Sequence, residues 1–149
     1  MKIAIGCDEA AYDLKELVKK HLTDAGYDLT DFGTHNAQPV LYPNIAIEVA
    51  EQVAQGHFER ALLLCGTGIG MAISANKVKG IRAAQCHDTY SAERASRSND
   101  AQIITIGARV VGPELAKAIV DAWLKSTFDG GRSQPKVDLI SAYETHSQA

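Results

Sequence analysis

The run Cys65-Gly66-Thr67-Gly68-Ile69-Gly70 concentrates the chemistry of this 149-residue chain. Glycines at alternate positions let the backbone approach a ligand closely. If the run opens a helix, its N–H groups face an oxyanion or a phosphate. The Gly-Lys-Ser/Thr ending of a nucleotide phosphate loop is missing. The cysteine in front of the turn has two readings. Most cysteines are small buried residues, and the end of an apolar run suits one. A thiol at a helix N-terminus has its pKa drawn from ~8.5 toward neutrality and becomes a base or nucleophile.

Two other regions carry reactive groups. In Gly6-Cys7-Asp8-Glu9, Asp8 reads equally as a helix N-cap and as a carboxylate facing a cleft. A dinucleotide-binding chain would place G-x-G-x-x-G there, which argues against an NAD enzyme. His87-Asp88 precedes Thr89-Tyr90, and Ser98-Asn99-Asp100 follows one helix later. His87 and Asp88 could shuttle a proton, or Asp88 could simply cap that helix. Arg109, Arg132 and Lys136 are either phosphate ligands or solvated charges. His21, His35, His57 and His146 read as surface or loop residues.

The elements that must position these groups follow from the hydrophobic pattern. Short Ile-, Val- and Leu-rich runs at Lys2–Cys7, Tyr27–Asp31, Ala61–Cys65, Ile81–Cys86 and Gln102–Ile106 read as buried parallel strands. Between them lie amphipathic stretches. Leu14, Leu17, Val18 and Leu22 form one helical face, with Lys15, Glu16, Lys19 and Lys20 around the other, and Gly26 ends the helix. Ile45, Val49 and Val53 mark a helix after Pro43. Met71–Val78, Thr89–Arg97 and Glu114–Lys125 are further helices, the last with Leu115, Ile119 and Trp123 on its buried stripe. This alternation predicts an α/β fold: a three-layer αβα domain over residues 1–149 with a doubly wound, Rossmann-like parallel sheet. Ligands then bind at the carboxyl ends of the strands. After a Gly-rich bend at Asp129–Arg132, Lys136–Tyr143 reads as a helix packing on this domain or on a partner subunit.

Composition narrows the classes. The hydrophobic fraction is 46%, enough for a core without disulfides or a structural metal. A formal net charge of −3 argues against a nucleic-acid partner. No apolar run approaches the ~20 residues that span a bilayer. The N-terminus lacks the pattern of a signal peptide. The three cysteines form no C-x-x-C pair, so neither a metal site nor a redox motif is expected. A cytoplasmic protein with free thiols is the simplest reading.

Together the motifs resemble the type B ribose-5-phosphate isomerase family, with its galactose-6-phosphate isomerase subunits and tetrose-phosphate isomerases. The landmarks run nearly end to end: Lys2–Asp8, Tyr42-Pro43, Leu62–Lys77, Gly80–Ala84, Tyr90–Ala95, Asn99-Asp100, Ile106–Gly112 and Gly130–Arg132. The block Cys65–Lys77 is the most specific. The resemblance implies a five-stranded parallel sheet and a homodimer, alone or paired into a tetramer, with active sites between subunits. It implies interconversion of an aldose phosphate and a ketose phosphate through an enediolate, without metal or cofactor. By position, Cys65 is the base that moves a proton between C1 and C2. Gly66, Gly68 and Gly70 belong to the turn that supplies N–H groups to the enediolate oxygen, with Asn99 assisting. Thr67 positions the reacting end, Asp8 binds sugar hydroxyls, and Arg132 holds the phosphate with Arg109 contributing.

Three positions depart from the best-known ribose-phosphate members. Glu9 replaces a phosphate-binding histidine, Ser98 replaces the ring-opening histidine, and Lys136 replaces a second phosphate arginine, losing its bidentate fork. His87 is a substitute acid, and its surroundings resemble the tetrose-phosphate (erythritol-pathway) branch. A tetrose 4-phosphate cannot close a furanose ring through its phosphorylated oxygen and needs no ring-opening acid. D-ribose 5-phosphate/D-ribulose 5-phosphate is therefore the first expectation, with erythrulose 4-phosphate/erythrose 4-phosphate the alternative. A non-catalytic sugar-phosphate-binding protein and one subunit of a heteromeric isomerase are the readings from other classes.

Overall fold

The computed structural model describes residues 1–147. The side chain of His146 lies outside the described part. The strands are β1 Lys2–Cys7, β2 Asp28–Asp31, β3 Arg60–Cys65, β4 Ala83–Gln85 and β5 Ile103–Gly107. They form one parallel sheet in the order β2-β1-β3-β5-β4. The helices are α1 Tyr12–Asp24, α2 Tyr42–Ala54, α3 Ile69–Asn76, α4 Thr89–Arg97, α5 Pro113–Leu124 and α6 Gln134–Ser147. Short 3-10 turns precede α1 at Glu9–Ala11 and α6 at Gly131–Ser133. No described helix is long and apolar enough to cross a membrane.

Alternation along the central strands builds a core on each face of the sheet. Ile3, Ile5, Leu62, Leu64, Ile104 and Ile106 point to the side of α1, α4 and α5, where Trp123 is fully buried. Ala4, Ala61, Leu63 and Ile103 point to α2 and α3, meeting Val49, Val53 and Met71. The three-layer αβα architecture is thus as the pattern predicts.

Four details differ from the sequence reading. β4 is three residues, not the six of Ile81–Cys86. It is an edge strand, and the side chain of Asn76 occupies its outer side, bonding the Ala83 N–H and carbonyl at 2.8 Å each. Leu115 is 43% exposed. The buried stripe of α5 runs through Ala116, Ile119, Val120 and Trp123, at i, i+3, i+4 and i+7, and Leu115 flanks it. Pattern places α3 at Met71–Val78, but it begins at Ile69, directly on the glycine turn. Lys15 is not on a solvated face at all; it is fully buried.

The buried lysine has a complete set of partners. Its Nζ donates to both carboxylate oxygens of Asp31, at 2.9 and 2.8 Å, and to the carbonyl of Thr34 at 2.5 Å. Asp31 also accepts from Lys19 Nζ at 3.0 Å and from the Gly33 N–H at 2.8 Å. The segment after β2 thereby stays beside β1, where Cys7 N–H donates to the Gly33 carbonyl at 2.6 Å and Thr34 N–H to the Cys7 carbonyl at 2.7 Å.

Removing the ammonium leaves a largely buried carboxylate whose remaining partners are Lys19, the Gly33 N–H and His35 Nδ1 at 4.0 Å. Lys15→Met is expected to lower stability by about 3 kcal/mol, read from urea unfolding. The pair also sets an acid dependence. Burial pushes the Asp31 carboxyl up, but the hydrogen bonds from Lys15, Gly33 and Lys19 overcome it and hold it below the usual carboxylate range. Its stabilisation is therefore complete above ~pH 4 and fades as acid takes the pH through that depressed value. The wild-type urea midpoint should fall over that window, and Asp31→Asn should flatten this part of the fall. An equally steep curve in the variant would show the ion pair to be irrelevant.

Candidate active site

The chain leaves β1 toward β2 on one side and β3 on the other, so a crevice opens at their carboxyl ends. Cys65 is the last residue of β3, 5% exposed and level with Gly107 at the end of β5. The backbone then turns at once into α3. Gly68 caps that helix with φ 78° and ψ −8°, the left-handed values of the third residue in a type II turn. Its N–H donates to Cys65 Sγ at 3.1 Å. Thr67 Oγ1 accepts from the Ile69 N–H at 3.2 Å, and the Thr67 side chain is exposed at the mouth of the crevice.

The turn lies unusually close to β5. A Cβ on Gly107 would sit 2.7 Å from the Thr67 Cα, and one on Gly68 would sit 3.1 Å from the Ile106 backbone. Thr105 Oγ1 donates to the Gly68 carbonyl at 2.7 Å, and Gln85 Nε2 to the Thr67 carbonyl at 2.7 Å. Gly66 lies under the Arg109 guanidinium, whose Nη1 would be 3.2 Å from an added Cβ. Gly70 serves packing, because the ring of Tyr42 occupies the space a side chain would take.

Around this turn stand the other groups of the same sheet end. Asp8 realises the cap reading, with Oδ1 accepting from the Ala10 N–H at 3.1 Å. Burial, and then the charge of Glu9, push its carboxyl above the usual range, with backbone hydrogen bonds and Arg109 opposing. Glu9 turns to the loop, where Oε2 accepts from the Val40 N–H at 3.1 Å. His87 Nε2 accepts from the Gly107 N–H at 2.9 Å, so the proton of the neutral ring is on Nδ1. Asp88 caps α4, accepting from Ser91 N–H at 2.6 Å and Ser91 Oγ at 2.7 Å. These bonds draw its carboxyl below the usual range. The paired shuttle weighed for His87 and Asp88 is therefore not formed: one residue supports β5 and the other caps a helix. Cys7 and Cys86 are buried thiols, pushed up to about 12 by that burial.

Four sequence candidates lie elsewhere. α4 runs back against the strand direction, so its C-terminal residues Ser98 and Asn99 precede β5, while Cys65 is level with the end of β5. The five residues of β5 separate the two ends by roughly 16 Å. Ser98 Oγ accepts from Arg94 Nε at 2.9 Å, and Asn99 is exposed. Asp129 N–H donates to the Arg97 carbonyl at 3.1 Å, which ties the segment leading to Arg132 and Lys136 to this same end of α4. A cavity of 390 Å³ opens here, lined by Asn76, Ile81, Arg82, Asn99, Ile140 and Glu144. The resemblance assigns all thirteen candidates to active sites between subunits. The structure gathers Asp8, Glu9, Cys65, Gly66, Thr67, Gly68, Gly70, His87 and Arg109, and holds Ser98, Asn99, Arg132 and Lys136 apart. Gln85, Thr105 and Gly107 also shape the turn. No spacing singles them out, because their partners are distant in sequence.

The profile of a family described as Ribose/Galactose Isomerase covers residues 3–140. The chain is 58% identical over 140 residues to a ribose-5-P isomerase B of Listeria innocua, covering 94% of this chain and 95% of that protein. It is 54% identical over 145 residues to a D-erythrulose-4-phosphate isomerase of Pectobacterium atrosepticum, covering 97% and 95%. Its structure superposes on the ribose-5-phosphate isomerase B of Clostridium thermocellum with a TM-score of 0.97, 46% identity and 99% of each chain covered. On the family profile, the identities and the superposition, the chain belongs to the ribose/galactose isomerase family.

Proposed function

We propose that this chain is an aldose–ketose isomerase of a small sugar phosphate, with D-ribose 5-phosphate/D-ribulose 5-phosphate as its first substrate pair and Cys65 as its base. The observation that carries the reading is the Cys65 sulfur at the end of β3, receiving the Gly68 N–H at 3.1 Å. A backbone donor on the sulfur supports negative charge there, and the glycine turn is the expected source of N–H donors to an oxyanion.

The chemistry follows from that geometry. The thiolate takes the proton from C2 of the open-chain aldose. The electron pair moves into the C1–C2 bond and leaves charge on the carbonyl oxygen, giving a cis-enediolate. The thiol then returns the proton to C1 as the hydroxyl proton passes from O2 to O1. A backbone donor aimed at the enediolate oxygen lowers the barrier by about 3 kcal/mol. Asp8 binds sugar hydroxyls, and Thr67 aligns the reacting end. No metal or cofactor enters these steps.

The phosphate ligands Arg132 and Lys136, with Ser98 and Asn99, stand at the far end of the sheet from Cys65. A homodimer in which each copy lends that end to the other's crevice completes the site. Exposed apolar side chains support such a contact: Ile69 and Ile73 on α3, and Leu139, Ile140 and Tyr143 on α6. The whole of residues 1–149 then acts as one isomerase domain, with no nucleic-acid or membrane partner. The three free cysteines suit a cytoplasmic location.

One observation favours a tetrose phosphate instead. At position 98, where the resemblance expects a ring-opening histidine, stands a hydroxyl engaged by Arg94 Nε. Comparing ribose 5-phosphate with erythrulose 4-phosphate decides between them. In the presence of chelator and deuterium oxide, ribose 5-phosphate should exchange its C2 proton and erythrulose 4-phosphate a C1 proton. Cys65→Ala should lower turnover by about 10²–10⁴-fold, and turnover that survives it would take the thiol out of the mechanism. A shared site makes a second prediction. Cys65→Ala and Arg132→Ala proteins, each inactive alone, should recover about one quarter of wild-type activity after mixed refolding, because heterodimers hold one intact site. No recovery would mean that each chain works with its own residues.

A further inference from the structure

Gln85 takes no part in the chemistry proposed above, yet its side chain is bonded into the turn that holds Cys65. Gln85 Nε2 donates to the Thr67 carbonyl at 2.7 Å, and the N–H of the same peptide unit, that of Gly68, donates to Cys65 Sγ at 3.1 Å. A trans peptide is planar and its C=O and N–H point in opposite directions. Whatever fixes the carbonyl therefore aims the N–H. We infer that Gln85 is a positioning residue: by holding the Thr67 carbonyl, it selects the peptide orientation that delivers the Gly68 N–H to the Cys65 sulfur. The inference rests on Cys65 being the base.

The alternative orientation is within easy reach. Gly68 has φ 78° and ψ −8°. The type I counterpart of this turn has φ near −90° at the same residue and differs by turning over the Thr67–Gly68 peptide. Glycine accepts both conformations, so the covalent chain does not choose. In the turned-over form the Thr67 carbonyl oxygen points toward the sulfur side and the N–H is lost to it. A thiolate would then face a lone pair in place of a donor.

The neighbouring restraints act on other peptides. Thr105 holds the Gly68 carbonyl, one peptide further on. His87 holds the Gly107 N–H and so supports the strand behind Thr67. Gln85 and His87 are two residues apart at the carboxyl end of β4, so that edge of the sheet braces the turn twice. The charged and titratable groups at this sheet end are Cys7, Asp8 and Glu9 at and after β1, Cys86, His87 and Asp88 after β4, and Arg109 after β5. A neutral substitution at position 85 changes none of them.

The experiment is a pH titration of the Cys65 thiolate by its far-ultraviolet absorbance, taken as the difference from Cys65→Ala, in wild type, Gln85→Met and Gln85→Ala. Cys7 and Cys86, pushed up to about 12 by burial, stay silent over the neutral range. Both variants are neutral and remove the donor, and Gln85 is exposed, so the urea midpoint should hardly move. The apparent Cys65 pKa should rise by about one unit. At a pH below that pKa, kcat should fall about tenfold with KM little changed. An unchanged titration in both variants overturns the inference, as does a loss of kcat matched by an equal loss of stability. The titration needs no sugar, so the two readings separate. A shifted titration with turnover that survives Cys65→Ala removes the base assignment alone. Cys65-dependent turnover with an unshifted titration removes Gln85 alone.

Discussion

Everything at the candidate site depends on how closely the turn after β3 lies against the end of β5. The Thr67 backbone occupies the place where any side chain on residue 107 would begin. Because Gly107 has none, the turn can fold flat across the sheet end, and Gly68 can enter α3 from the left-handed region. Hydrogen bonds then reach it from both flanking segments: Thr105 on β5, and Gln85 at the end of β4. The result is a sulfur with a fixed donor, obtained from backbone groups that need no reorganisation when charge develops.

Around that turn the fold uses polar burial for alignment. Lys15 gives its ammonium to Asp31 and the Thr34 carbonyl, and Glu9 holds the Val40 N–H. Together they attach both ends of the segment between β2 and α2. That segment delivers Tyr42, whose ring lies on Gly70 in the first turn of α3. Glu9, expected from the sequence to repel a phosphate here, is thus turned away to the Val40 N–H. It has become part of the frame.

The far end of the sheet has a different character. Asn99, Arg132 and Lys136 are exposed, and α6 presents Leu139, Ile140 and Tyr143 to solvent. α4 carries the chain from His87 at the crevice to Ser98 at the opposite edge, so antiparallel helix packing alone separates the two groups of candidates. In the proposed homodimer a second copy would turn this separation into a complete site without any change in the fold.

Much was legible in the sequence. Apolar runs and period-3.6 patterns identified all five strands and the main helices, since burial on two faces of a parallel sheet leaves uninterrupted apolar runs. Cys65 and its glycine turn stood out because their spacing is local. The same holds for the caps Asp8 and Asp88, whose partners are within three residues. What only the tertiary structure decided involves partners far apart in the chain. Lys15 looked like a solvated charge until Asp31 was placed beneath it. β4 was shortened by Asn76 at its edge, and Gly70 proved to be space for Tyr42. Gln85 meets Thr67 across eighteen positions, and Ser98 and Asn99 fall at the wrong end of β5 to reach Cys65. Local patterns record which side of an element is buried; only the sheet order and the direction of each helix determine what that side meets.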